Sequence, residues 1–238
     1  MKDAIRTNFD GSPDAYAQYE RRTGRFETLA ERLIDTMADR AASPIGVTLD
    51  AGAGSGISTG VLDRHGLKPV AADLSRGMLS VNPAPNRVQC DFDALPFVAD
   101  AFDAVAFTAS LFLTPEPQRA ASEARRVLRA GGVVGAVAPL GWTTDDGADV
   151  FAPLSRESRS PAGAEAVETA LRASFTVETG TWSFPTTAAN LRAFHSIPAM
   201  SARLYPRLDT GERISRARTL LADIDGPLEQ RWRWFVGT

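Results

Sequence analysis

The residues whose types and spacing could do chemistry sit close together in the first half of the chain. Val47-Thr48-Leu49-Asp50-Ala51-Gly52-Ala53-Gly54-Ser55-Gly56 is a short apolar run that ends in an acid and opens into three alternating glycines. A buried strand, a loop without side chains and a helix start together bring backbone amides against a polar ligand. Two familiar ligands fail on spacing. The dinucleotide fingerprint needs its third glycine where Ile57 stands, and the phosphate-cradling loop needs a Gly-Lys-Ser/Thr ending that is missing here. Asp50 also disfavours a phosphate, because a carboxylate beside a pyrophosphate costs Coulomb energy, and it favours a ligand carrying positive charge. S-adenosylmethionine, with a sulfonium and an ammonium, carries such charge.

Acids recur at the ends of the next apolar runs. Val70-Ala71-Ala72-Asp73 places a carboxylate at the carboxyl end of a second strand, where it can accept hydrogen bonds from two ribose hydroxyls. Arg87-Val88-Gln89-Cys90-Asp91-Phe92 is a third run, with Asp91 as an acceptor for an adenine amino group and Phe92 as an apolar face for its ring. Phe102 to Phe107 is a fourth strand. A tight turn with no ligand is the plain alternative for the glycines, but three carboxylates gathered at one sheet edge need partners or solvent. A Mg²⁺ site is the competing use of those acids. Their spread over separate strand ends suits one nucleoside better, and no metal is expected.

On these segments the chain resembles the class I S-adenosylmethionine-dependent methyltransferases, in their small-molecule branch. The resemblance rests on the turn at 50 to 56, on Asp73-Leu74-Ser75 with Met78, on Cys90-Asp91 followed by Leu95-Pro96-Phe97 and Phe102-Asp103, and on Arg126-Val127-Leu128-Arg129-Ala130-Gly131-Gly132. It spans residues 45 to 140. Ala130 departs from the proline more usual before the two glycines, which weakens a turn preference only. The resemblance implies that Asp50, Gly52 and Gly54 surround the methionine part, Asp73 holds the ribose, and Asp91 and Phe92 flank the adenine. Ala53, Gly56, Leu74, Met78 and Thr108 complete the implied cofactor set. A looser likeness, through Asn8-Phe9-Asp10 and Tyr16, points to the branch that holds the malonyl-carrier O-methyltransferase of biotin synthesis and the quinone methyltransferases.

The implied fold is α/β: a Rossmann-like, seven-stranded, mostly parallel sheet with helices on both faces, an antiparallel last strand and a helical cap insertion. Alternating strand and helix patterns give the same parallel sheet independently. Phe26, Leu29, Ala30, Leu33, Ile34, Met37 and Ala38 follow helical spacing and predict an amphipathic helix before the first strand. Ile57 to Arg64 predicts a helix stopped at Gly66, Thr114-Pro115-Glu116 a helix start, and Val133 to Ala138 a fifth strand. Helix near Ala164 to Arg172, strand over Phe175 to Phe184, and a last strand over Glu229 to Val236 follow. The expected organisation is a single methyltransferase domain over 1–238, with residues 1–25 as a mobile lid and 186–224 as a cap over the acceptor pocket. The Pro/Ser/Gly-bearing stretch from Thr143 to Gly163 is the clearest compositional break.

Composition sets the outer bounds. The chain has 238 residues, 44% of them hydrophobic, enough for a full core and for one domain with a cap. With 26 basic against 29 acidic residues the net charge is -3, so no global field attracts a polyanion, and nucleic acid is not expected as a partner. The single Cys90 excludes an intrachain disulfide framework and a cysteine zinc site, and it argues against arsenite as acceptor. No apolar run approaches a membrane span, and the amino-terminal residues lack the apolar core of a secretory signal. A soluble cytoplasmic protein, monomer or homodimer, without membrane contact, is the expectation.

Methyl transfer from a sulfonium is an in-line displacement, so holding acceptor and methyl in near-attack geometry can supply on the order of 7 to 11 kcal/mol. For a hydroxyl or amine acceptor a base helps, and His195, at the end of a cap helix, is the histidine candidate; a solvated helix-end residue is its plain alternative. His65, at a helix end on the far side of the sheet, reads as structural. Tyr16 and Arg25, flanking the lid, are candidates for the methionine carboxylate. Tyr19, Trp142, Trp182 and Phe194 are candidates for an apolar acceptor pocket, while Trp232 and Trp234 read as core. The acceptor is expected to be a small organic molecule methylated on oxygen, nitrogen or carbon. A regulatory protein or non-catalytic partner subunit that only binds S-adenosylmethionine is the alternative. A macromolecular methyltransferase stands third, since the chain lacks the Asn/Asp-Pro-Pro-Tyr/Phe segment and the Pro-Cys nucleophile of nucleic-acid enzymes.

Overall fold

A computed structural model describes residues 2–154 and 163–238. Seven strands form one sheet: β1 (Val47–Ala51), β2 (Lys68–Asp73), β3 (Arg87–Gln89), β4 (Phe102–Phe107), β5 (Leu128–Thr144), β6 (Val177–Thr187) and β7 (Pro227–Gly237). Their order is β3-β2-β1-β4-β5-β7-β6, with β7 antiparallel to both neighbours and the first five strands parallel. The order reverses between β1 and β4. In an open parallel sheet that reversal leaves a crevice at the carboxyl ends of the two strands, because successive crossovers leave in opposite directions.

Helices α3 (Arg25–Ala38) and α4 (Ile57–Arg64) pack together, as do α6 (Pro117–Val127) and α7 (Ala164–Arg172), one pair on each face of the sheet. The expected periodicity of α3 is realised, with Leu29, Ala30, Leu33, Ile34 and Met37 all buried. Met37 lies so close to β5 that a Cβ on Gly135 would strike its sulfur. A short α5 (Arg76–Ser80) follows β2, capped by the Ser75 hydroxyl, which accepts from Met78 N. The main core joins Leu49, Val105, Phe107, Val134, Val137, Leu171, Trp232 and Phe235 across the sheet.

Several boundaries differ from the sequence pattern. The run at 87–92 is strand only to Gln89, and Cys90, Asp91 and Phe92 continue into a turn. The helix starting near Thr114 ends at Val127, and β5 begins at once and carries Gly131 and Gly132 within it; a register shift against β4 between Phe102 and Ala104 absorbs the two glycines. The segment expected as a lid carries two helices, α1 (Lys2–Asp10) and α2 (Pro13–Thr23). Between β6 and β7 lie α8 (Ala188–His195), α9 (Pro198–Leu204) and α10 (Thr210–Leu220). The compositional break at 143–163 falls partly outside the described residues. No helix among those described is long and apolar enough to cross a membrane.

The amino-terminal helices and the insertion meet over the carboxyl edge of the sheet. Tyr16, Tyr19, Met78, Ile197, Ala199 and Met200 form one buried cluster. Ser12 Oγ accepts from Ala199 N at 3.1 Å and donates to Asn8 O, while Asn8 Oδ1 accepts from Arg213 Nη2 at 2.8 Å.

Candidate active site

The loop after β1 is shaped by its glycines. Gly52, Gly54 and Gly56 all have positive φ, at 80°, 53° and 96°. A side chain is strained there, and space is denied as well: a Cβ on Gly52 would meet Ser110, and one on Gly56 would meet Asn82 Oδ1 and Pro83 Cδ at 2.7 Å. Asp73, at the end of β2, ties this loop to the next strand. Its Oδ2 accepts from Gly54 N at 2.8 Å and its Oδ1 from Ser75 N at 2.7 Å. Burial pushes its carboxyl pKa up, opposed by those backbone hydrogen bonds.

A cleft of about 950 Å³ opens above this loop, at the crevice between β1 and β4. Of the residues expected at the cofactor, Tyr16, Gly52, Ala53, Gly54, Asp73, Leu74, Met78, Asp91, Phe92 and Thr108 line it. Asp50 does not. It is completely buried beneath the loop, where its Oδ2 accepts from Ser58 and Thr59 hydroxyls at 2.8 and 2.6 Å. Its Oδ1 has no partner among the described residues, and burial, opposed by the two hydroxyls, raises its pKa to about 6. Asp50 is therefore a buried negative site below the cleft, and its effect on a ligand is through the field.

Gly56 is likewise a packing position against Asn82, outside the cleft wall. Arg25 lies away from the cleft. Its guanidinium sits 4.1 Å over the Phe184 ring, drawn there because α3 turns its first residue toward β6, and burial lowers its pKa.

Three wall residues, Lys2, Ala109 and Ser110, had no readable signal in the sequence. Lys2 pairs with Asp91 at 2.6 Å and also with Asp93, which holds the Thr114 hydroxyl at 3.0 Å. Asp10, at the other end of α1, accepts from Ser75 Oγ at 2.6 Å and Gly77 N at 2.8 Å. Helix α1 thus crosses the cleft pinned at both ends. Ser110 Oγ donates to Ala51 O at 2.5 Å, and Ala109 beside it has φ of 58°, a conformation that strains an alanine and that recurs at binding sites. Only residues distant in sequence make these contacts, so no local pattern announces them.

A second cavity, of about 920 Å³, lies between β5, β7 and the inserted helices. Trp142, Phe194 and His195 line it together, and so does Trp232, which also belongs to the main core. Tyr19 and Trp182 do not. Tyr19 is buried between Phe26 and Phe194, with its pKa pushed up to about 12 by that burial, and Trp182 stacks on Trp234 at 6.2 Å on the outer part of the sheet. His195 packs against the Phe151 ring at 5.1 Å and the Phe194 ring at 5.2 Å. His65 pairs with Glu31 at 2.7 Å on the far side, the structural role expected of it.

Comparison with known proteins adds likenesses to part of the chain. Residues 49–135 match the methyltransferase domain family. A demethylmenaquinone methyltransferase of Clavibacter sepedonicus is 35% identical over 123 residues, 48% of this chain and 50% of that protein. The chain thus matches half or less of the length of such curated relatives. Among solved structures, the YcgJ protein of Bacillus subtilis superposes with a TM-score of 0.61 at 15% identity, covering 87% of this chain and 97% of that one. A phosphoethanolamine N-methyltransferase of Haemonchus contortus, in complex with S-adenosylhomocysteine, gives 0.53 at 16% identity, covering 87% of this chain and 52% of that one. At such identities the likeness concerns the fold alone. The domain match is confined to residues 49–135, and the likeness of fold to solved structures extends over most of the chain.

Proposed function

We propose that the protein transfers a methyl group from S-adenosylmethionine to a small organic acceptor. One observation carries the reading: the Asp73 carboxylate at the end of β2 and the side-chain-free Gly52–Gly54 turn line the same cleft at the reversal of strand order. The methyltransferase activity named for the relatives and the S-adenosylhomocysteine bound by the Haemonchus enzyme support it.

The residues fit the cofactor. Gly52 and Gly54 leave room for close backbone approach, the buried Asp50 favours positive charge above it, and Asp73 and Asp91 offer acceptors to a nucleoside. When bound, S-adenosylmethionine supplies an electrophilic methyl whose bond electrons leave with sulfur, so its departure needs no proton. What remains for the chain is to orient the two reactants and exclude water. Helices α1 and α2 act in this reading as the lid, and α8 to α10 as the cap. His195 is the base for an acceptor hydroxyl or amine.

The near-neutral charge of the whole chain favours a small acceptor over nucleic acid. The lone, half-buried Cys90 suits the cytoplasm, and a monomer or homodimer is assigned. Calorimetric titration with S-adenosylmethionine and S-adenosylhomocysteine, with NAD as control, tests the cofactor. Micromolar binding of the first two alone supports it, and no heat with either removes the reading. Formation of S-adenosylhomocysteine with an added acceptor then separates an enzyme from a regulator that only binds.

A further inference from the structure

The second cavity adjoins the cofactor cleft through one short wall. Ser110 and Leu113 line the cleft, and Phe112, on the same 3-10 turn (Leu111–Leu113), lines the second cavity. Arg203 of α9 lines that cavity too, with its guanidinium 4.9 Å over the Phe112 ring. The Arg203 charge reaches the hydroxyl of Tyr16, a residue of the cleft wall, so the guanidinium stands on the cleft side of the cavity. Leu140 and Asp149, which also line the cavity, are exposed and mark where it meets solvent. The rest of the wall is rich in rings, with Trp142 and Phe194 centroids 5.9 Å apart and Phe151 in the same cluster. Aromatic walls of this kind gain most from a flat ring, which they can meet by offset or edge-to-face contact.

Arg203 differs from its neighbours on α9. Ala199, Met200, Ser201, Ala202 and Leu204 are buried by packing, whereas Arg203 keeps accessible surface and lines a cavity. Its place is fixed by contacts within the chain, the Phe112 ring among them. Burial lowers its pKa to about 10, so it stays a cation at neutral pH, and a charge in an apolar wall carries a desolvation cost that a bound anion offsets. Guanidinium donors lie round the rim of a plane. Contact of one face with a ring therefore leaves N–H groups able to meet a carboxylate edge-on, in a pair. Asp149, the acid of the same wall, is exposed and accepts from Phe151 N at 2.9 Å. Arg203 lines this cavity and not the cofactor cleft, which favours the acceptor over the cofactor as the source of the anion.

Resting on the methyl-transfer reading above, we propose that this cavity takes the acceptor and that the acceptor is an aromatic carboxylic acid bound as its anion. The carboxylate meets the Arg203 guanidinium on the cleft side, and the ring lies against Trp142, Phe151 and Phe194. Arg203 selects for charge, and the aromatic wall selects for a flat ring. Anchoring the acid at the wall shared with the cleft limits the ring to few orientations toward the cofactor.

The test is calorimetric binding of 2-naphthoate and of 2-naphthamide, which has the same outline without the charge. The wild type, Arg203→Met, Arg203→Lys and a control, Arg207→Met at an exposed position beyond α9, are titrated with both compounds and with S-adenosylhomocysteine. The wild type is expected to bind the carboxylate about tenfold tighter than the amide or more, as a hydrogen-bonded charge pair should. Arg203→Met loses that preference and keeps its naphthamide and S-adenosylhomocysteine affinities. Arg203→Lys keeps the charge without the planar fork, and its preference falls roughly threefold. Arg207→Met matches the wild type. Should Arg203→Met fail to fold, Arg203→Lys decides. Equal affinity of the wild type for the two compounds, unchanged preference in the Arg203 variants, equal loss of preference in Arg207→Met, or no binding of either compound overturns the proposal. So does competition between 2-naphthoate and S-adenosylhomocysteine, which would put the ring in the cofactor cleft. Loss of S-adenosylhomocysteine affinity in Arg203→Met overturns it as well, by assigning the arginine to the cofactor's own carboxylate. Failure of the wild type to bind S-adenosylhomocysteine, with an Arg203-dependent carboxylate preference intact, overturns the methyl-transfer reading instead and leaves the anion site standing.

Discussion

Gly54 N donates to Asp73 Oδ2 at 2.8 Å, so the carboxylate assigned to the ribose is also the strut that fixes the glycine turn. The two functions cannot be separated by removing the whole side chain. Asp73→Asn keeps one carbonyl acceptor and removes the charge. A hydrogen bond to a charged group contributes about 1.5 to 3 kcal/mol, so S-adenosylmethionine affinity should fall about 10- to 100-fold in calorimetry. Asp73→Ala should abolish measurable binding and lower the melting temperature as well, and unchanged binding would sink the ribose assignment.

Gly52→Ala places a methyl against Ser110, with Oγ at 2.8 Å, on a backbone whose φ is 80°. Both effects oppose the native loop, at a cost of about 1 to 3 kcal/mol for the strained backbone. The expected result is a folded, less stable protein, with cofactor binding lost. Full binding with a native melting temperature would show that the turn has another conformation.

Lys2 latches α1 through Asp91 and the buried Asp93. Lys2→Met removes the latch and frees Asp91 for a nucleoside. The half-exposed Lys2–Asp91 pair, the one that touches the cleft, contributes about 0 to 1 kcal/mol, so equilibrium affinity should change by less than about tenfold. Faster hydrogen exchange over residues 2–10 and faster association and dissociation in stopped flow are the expected signs of an unpinned helix. Unaltered exchange would show that Asp10 alone holds it.

The pKa of Asp50 rises from 3.8 in the unfolded chain to about 6 in the fold, chiefly through burial. A carboxyl with a raised folded pKa contributes stability that is fully present below the unfolded pKa and lost as pH rises through the folded value. Wild-type stability from this group therefore falls between about pH 4 and 6, on the order of 3 kcal/mol at most. Ligand affinity runs the other way. A cationic ligand prefers ionised Asp50, so S-adenosylmethionine should bind roughly tenfold more weakly at pH 5 than at pH 7.5. Asp50→Asn should flatten both profiles, measured by chemical denaturation and calorimetry across that range.

His195→Gln tests the base. If the acceptor atom is a hydroxyl or amine, kcat should fall about 10²- to 10⁴-fold with cofactor affinity unchanged. An acceptor carbon or an already ionised oxygen leaves kcat within a few fold.

What was legible in the sequence was local. Strand-ending acids, alternating glycines and helical spacing over residues 26–38 each depend on neighbours a few positions apart, and the elements they predict are present. The errors are those of partner and direction. Arg25 reads as a lid cation, but α3 carries it over Phe184; Trp182 reads as pocket wall, but β6 sets it against Trp234. The contacts that hold the two amino-terminal helices have no local signal, because their partners Ser75, Asp91 and Ala199 come from remote segments.

By itself, then, the sequence determined the parallel sheet, the glycine turn and the acids at or near the strand ends, since backbone preference and the end of an apolar run are properties of contiguous residues. Only the tertiary structure decided that Lys2 reaches Asp91, that Asp50 lies beneath the cleft and not in its wall, and that Trp142 and Arg203 line one aromatic cavity. Those depend on strand order and side-chain direction, which are set by packing between segments far apart in the chain.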